Sequence, residues 1–198
     1  MSGARFEQAI ARIDSAHAED PNKERVDGQD FPSELLYAQR MSAMLERFQP
    51  DASEALRLAV RCQHLRRWKI PRSDYPMTSE GYQQWRTRLM KYHAELASEI
   101  LRAAGYDDTL IARVQFLVRK ERLKTDPEAQ TLEDVTVLVF LENYLTQFVR
   151  EHSQYDEAKL TNILRRIARK MSQRGREAAL TLIKLPPELV PRIRDAIT

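Results

Sequence analysis

His64, His93 and Asp134 are the residues whose types could do chemistry together. Two imidazoles and a carboxylate form a donor set that binds zinc, manganese, iron or magnesium. A divalent ion held this way activates water or polarises a phosphoryl oxygen. Around His64 the stretch from Gln63 to Arg72 adds Arg66, Arg67, Lys69 and Arg72, with Trp68 among them. A core has no use for so much charge. Guanidinium groups grip phosphate bidentately, so Arg67, Arg72, Arg86, Lys120 and Lys124 are candidate contacts to an anionic substrate. Trp68, Tyr75 or Trp85 could stack on a base, which makes a nucleotide the natural ligand. The plainer alternative is a helix C-terminus decorated with cations, which the macrodipole favours. His64 paired with Asp134 as an ordinary polar core contact is the plain alternative for the ligands.

Helical periodicity must position these groups. Phe6, Ala9, Ile10 and Ile13 predict a first helix over 4–18, followed by a polar loop over 19–30. His17, at the edge of that loop, reads as solvent-facing. Pro32-Ser33-Glu34 opens a second helix carrying Leu35, Leu36, Met41, Met44, Leu45 and Phe48. Asp51 or Ser53 caps a third, whose apolar face is Leu56, Ala59 and Val60. Pro71 stops it, so His64 is expected near its inner end. Thr78-Ser79-Glu80 begins a long helix that bears His93 and ends at a Gly105 cap. Asp107 or Asp108 caps the next, and Lys124–Pro127 is a turn. The apolar run from Leu132 out to Val149 predicts a buried central helix with Asp134 at its head. Its valines alone would suggest a strand, but its length argues against one. Further helices follow Ser153 and Pro186. No hairpin signal appears, so the expected class is all-α: one helical bundle domain over 1–198, with a core over about 33–150 and C-terminal helices over 155–198 packed on it.

Composition narrows the function. The chain has 198 residues, 42% of them hydrophobic, and 31% charged with a net charge of only +3. Blanket nucleic-acid binding usually shows a larger, segregated excess, and this argues against an RNA or partner surface on the basic helices near 161–176. The single cysteine, Cys62, falls in an apolar helix and reads as a buried free thiol. No apolar run reaches the roughly 18 residues of a membrane span, and the N-terminus lacks an apolar signal core. A cytoplasmic protein is expected.

In order and separation, Leu58–His64, the segment His93–Leu101 with Gly105, and Leu132-Glu133-Asp134-Val135 resemble the HD-domain superfamily of metal-dependent phosphohydrolases, over about residues 33–150. That resemblance implies an HD-like helical fold. It also implies a divalent metal on His64, His93 and Asp134, with Gln39 or Glu133 beside it and Asp134 and Glu133 in catalytic roles. The pattern is degenerate: Tyr37-Ala38-Gln39 stands where the family's first His would fall, and Gln63-His64 or His64-Leu65 replaces its His-Asp pair. The chain is also similar, over nearly its whole length, to the family called domain of unknown function 4202. That likeness rests on Gln63-His64, Arg67-Trp68, Pro71-Arg72, Tyr75-Pro76, Tyr82, Trp85-Arg86, His93 and Leu132-Glu133-Asp134. The expected function is metal-dependent hydrolysis of a nucleotide or other phosphorylated small molecule. The alternative is a non-catalytic, degenerate HD-like module that binds such an anion. Nucleic acid and membrane are not expected partners.

Overall fold

A computed structural model describes residues 2–197. These residues form ten α-helices, three short 3-10 turns and one two-stranded hairpin. The class is predominantly all-α. They gather into two compact units, one of Met1–Ala43 with Asp51–Glu121, the other of Met44–Pro50 with Arg122–Thr198.

The first unit begins with α1 (Ser2–Ala18), the strands β1 (Lys23–Val26) and β2 (Gln29–Pro32), and α2 (Ser33–Phe48), whose last turn belongs to the second unit. The hairpin corrects the expectation of a plain loop. Asp27 and Gly28 both take positive φ, 50° and 83°, as the central pair of a tight two-residue hairpin turn must. Asp-Gly is a favoured sequence for that turn. The strands pair antiparallel from Lys23↔Pro32 to Val26↔Gln29. Buried Asp20 ties the hairpin base to the start of α2, accepting from the Asn22 and Glu34 backbone N–H groups at 2.9 Å each.

Next comes α3 (Glu54–Arg61), capped by Ser53, whose Oγ accepts from Leu56 N–H at 3.1 Å. This helix ends at Arg61, ten residues before Pro71. The chain turns over at His64 and Arg66, which take φ of 62° and 49°. His64 therefore sits in a turn beyond the helix, not on its last turn as the periodicity suggested. Thr78 caps α4 (Ser79–Ala103), and Asp107 caps α5 (Asp108–Val118), as their sequences predict. Ile13, Met41, Leu56, Leu58, Leu65, Leu101 and Leu117 fill the core of this unit.

The second unit is built on α6 (Pro127–Asn143), with α7 (Leu145–Glu151), α8 (Glu157–Ala168), α9 (Gln173–Thr181) and α10 (Val190–Ile197). Asp126 caps α6 and Pro127 holds its first position, a pairing suited to helix entry. The helix thus starts seven residues before Asp134, which lies two turns inside rather than at the head. Val135, Val137, Leu138 and Val139 are all buried, so the run is a helix apolar around most of its circumference. A break at Tyr144 separates α7, which the unbroken reading to Val149 did not foresee. Among the described residues no helix is long and apolar enough to cross a membrane.

Asp134 joins α6 to α9. It accepts the Ser172 N–H at 2.8 Å, the Ser172 O–H at 2.5 Å and the Gln130 side-chain amide at 3.1 Å. Ser172 in turn caps α9 through Gly175 N–H at 2.9 Å. A Cβ on Gly175 would stand 2.5 Å from Asp134 Oδ1. Gly175→Ala is therefore expected to destabilise the protein by about 1–3 kcal/mol, read as a lowered denaturant midpoint with an unchanged slope.

Candidate functional site

The site is assembled in the first unit around Glu34. Asp20 pins the first turn of α2, which fixes the Glu34 backbone, and Tyr37 follows one turn later on the same face. Into that face the left-handed turn delivers His64. Its Nδ1 lies 3.0 Å from Glu34 Oε2, and its ring stacks on Tyr37 with centroids 4.3 Å apart and planes 9° from parallel. A non-glycine residue at this φ costs free energy that the surrounding structure must offset; the carboxylate and the stack supply that constraint here.

Burial pulls the His64 pKa below its ordinary value, and the charges of Arg67 and Lys120 act the same way, against Glu34. Burial would raise the Glu34 pKa, yet His64 and Arg67 together hold it below the usual carboxylate range. The pair is thus a carboxylate accepting the Nδ1–H of a neutral imidazole. This leaves His64 Nε2 as a lone pair, on a side chain 27% exposed.

Two further imidazoles lie in the same neighbourhood. His93 Nδ1–H donates to the Leu65 carbonyl at 2.8 Å, and the ring lies 6.0 Å from that of His64. A carbonyl can only accept, so His93 Nε2 is also a lone pair; it is buried with no hydrogen-bond partner. Burial and His64 push the His93 pKa down to about 3. His17 Nε2–H donates to the Arg61 carbonyl at 3.0 Å, which leaves Nδ1 buried without a partner. His17 is fully buried, contrary to the solvent-facing expectation, because the end of α1 packs against α3. Arg61 anchors that packing. Its guanidinium meets Asp14 through two 2.7 Å hydrogen bonds and also donates to the Ala38 carbonyl and Ser42 Oγ.

The expected substrate contacts divide. Arg67 Nη1 stands 3.7 Å from Glu34 Oε1, and its guanidinium lies 5.2 Å from the Trp85 ring centroid. Lys120, at φ 54°, is close enough for its charge to act on His64. Arg72 instead rivets its own loop, donating to the Tyr75 and Pro76 carbonyls at 2.9 and 2.8 Å. Trp85 is buried, with Nε1–H on the Ile70 carbonyl at 2.9 Å, so it is core rather than a stacking platform. Trp68 and Tyr75 are half-buried, and Arg86 lies 5.9 Å from the Tyr82 ring. Gln39 is exposed on α2.

Asp134, Glu133 and Lys124 belong to the second unit. Both Asp134 oxygens are engaged by Ser172 and Gln130, and burial raises its pKa despite those bonds. Among the described residues no group of three or more His, Cys, Asp or Glu side chains stands close enough to hold a metal ion. His64 and His93 belong to the first unit and Asp134 to the second. Cys62 is the buried free thiol expected, its pKa pushed up to about 12 by burial.

Sequence reasoning missed Glu34, Tyr37, His17 and Arg61. Spacing signalled only one feature, the Glu34–Tyr37 pair on one helix face. What the arrangement can do is accept protons: a carboxylate orients an imidazole whose other nitrogen is bare, beside two cations suited to an anion.

No curated protein and no solved structure matches the chain, and the HD-domain resemblance gains no support from these comparisons. A family model does match, described as Domain of unknown function (DUF4202), and it covers residues 7–193. Because that match spans nearly the full length, the chain belongs to the DUF4202 family.

Proposed function

We propose that the first unit binds a phosphorylated small molecule and hydrolyses its phosphoester with His64 as general base. The observation that carries this reading is the Glu34–His64 pair at 3.0 Å beside Arg67. A carboxylate behind an imidazole fixes the tautomer and stabilises the imidazolium that forms when the other nitrogen takes a proton. His64 Nε2 takes a proton from water as the water oxygen bonds to phosphorus. The ester P–O bond breaks, and the leaving oxygen takes a proton from the imidazolium. Arg67 and Lys120 balance the charge on the phosphoryl oxygens. The metal-dependent form of the reaction inferred from the HD resemblance would need a third ligand beside His64 and His93.

Inorganic phosphate released from a panel of phosphorylated small molecules tests this, with Glu34→Gln beside the parent. The amide keeps the size but not the charge, so kcat is expected to fall about 10²- to 10⁴-fold with KM little changed. Ligand-induced stabilisation without any phosphate release would support the binding-only module instead.

A further inference from the structure

The connection that carries His64 continues into a second feature that the imidazole cluster does not use. Lys69, Ile70, Asp74 and Tyr75 from this connection, with Arg88 and Tyr92 from α4, line an open cleft of about 390 Å³. That is within the usual size range of small-molecule sites. Arg88 and Tyr92 are four residues apart and so share one helix face.

The cleft is held in shape from both sides. Arg72 donates to the carbonyls of Tyr75 and Pro76, which fixes the Tyr75 backbone. Tyr92 is half-buried with its ring 6.2 Å from that of His93. Lys69 and Arg88 are both exposed, and among the described residues neither side chain has a hydrogen bond or ion pair. Asp74 also lines the cleft but lies beyond salt-bridge distance of either cation. Two cations, one carboxylate and two aromatic rings therefore face one space without neutralising one another.

We infer that this cleft is a second binding site, for a nucleoside monophosphate. Each part of such a ligand has a counterpart. The phosphate suits Lys69 and Arg88, since an unpaired guanidinium and an ammonium are its natural donors. The base suits the tyrosine rings, because every base has a π-face. Asp74 repels a bare anion but accepts hydrogen bonds from a ribose diol or an exocyclic amine. Inorganic phosphate alone would meet the carboxylate with nothing to offer it, and a nucleoside alone would leave the cations unanswered. The volume suits one nucleotide rather than a strand.

The test is calorimetric titration of the full-length protein with adenosine monophosphate, adenosine, inorganic phosphate and a short single-stranded oligoadenylate. Adenosine monophosphate is expected to bind at millimolar concentration or below, and at least tenfold tighter than adenosine or phosphate. Arg88→Ala and Lys69→Ala should each weaken it about tenfold or more, while Asp74→Asn should tighten inorganic phosphate. These side chains are exposed, so circular dichroism and the melting temperature should not move. His64→Gln should leave this binding intact, which separates the cleft from the imidazole cluster and keeps this proposal independent of the hydrolytic one. Binding lost in His64→Gln but kept in Arg88→Ala would put the ligand at the imidazoles and overturn the cleft. So would phosphate binding as tightly as adenosine monophosphate, or no binding of the nucleotide at all. An oligoadenylate binding a hundredfold tighter than the mononucleotide would make the feature an RNA surface and equally overturn it.

Discussion

Asp14→Ala is expected to destabilise the protein by about 3–5 kcal/mol. The Arg61 side chain is only 10% exposed, against 28% for Asp14, and the two form a bidentate pair at 2.7 Å. Removing the carboxylate leaves a nearly buried guanidinium with only the Ala38 carbonyl and Ser42 Oγ as acceptors. The cost is that of stranding a charge more than of losing a contact. It follows that Asp14→Leu combined with Arg61→Met should cost less than the sum of the single changes, because no charge is then stranded. Denaturant unfolding of the two singles and the double checks this. Additive losses would mean that Arg61 acts through its alkyl packing alone.

Acid should unfold the protein earlier than its carboxylates alone would dictate. Burial holds His17, His64 and His93 neutral, with the His93 pKa near 3, whereas in the unfolded chain imidazoles protonate near pH 6.5. Below that pH the unfolded state binds more protons. Stability is thus full above about 6.5 and falls as pH drops toward the folded values. His93 alone should account for about 2 kcal/mol between pH 7 and pH 5, with His17 and His64 adding in the same direction. Urea unfolding at pH 7, 6 and 5 measures the slope, and His93→Gln should flatten it by about that amount. A slope unchanged by the substitution would mean that His93 is not held neutral.

The parts of the fold that were legible are those governed by local chemistry. Ser53, Thr78 and Asp107 cap helices because a side-chain oxygen meets a free N–H within three residues. Asp27-Gly28 is a favoured hairpin-turn pair that went unread, because the residues around it are polar and read as loop. Of the site, His64, His93, Arg67 and Lys120 were legible in the sequence, and Glu34, Tyr37, His17 and Arg61 were not. His64 meets Glu34 across 30 residues of sequence and His17 meets Arg61 across 44, distances no periodicity spans. His enters the left-handed region more readily than most residues and Arg does not; His64 is held there beside Glu34 and Arg66 beside Glu19, and this is why α3 looked longer than it is. The HD resemblance alone put Asp134 in a catalytic role; as a buried carboxylate it needs a partner in any case. The partner is Ser172, the N-cap of α9, a helix whose weak apolar pattern did not announce it.

The role of His64 as the base is read from the pH profile of phosphate release, measured as kcat/KM for the parent and for His64→Gln on whichever phosphorylated ligand the parent hydrolyses. The parent's rate is expected to fall on the acid side with an apparent pKa below 6.5, because His64 must be neutral to act and its surroundings disfavour its protonation. His64→Gln is expected to lose about 100-fold or more of the rate together with that acid limb. A variant that keeps the parent's rate and the same limb, or a parent that releases no phosphate from any ligand that stabilises it, would contradict the assignment of His64 as the base.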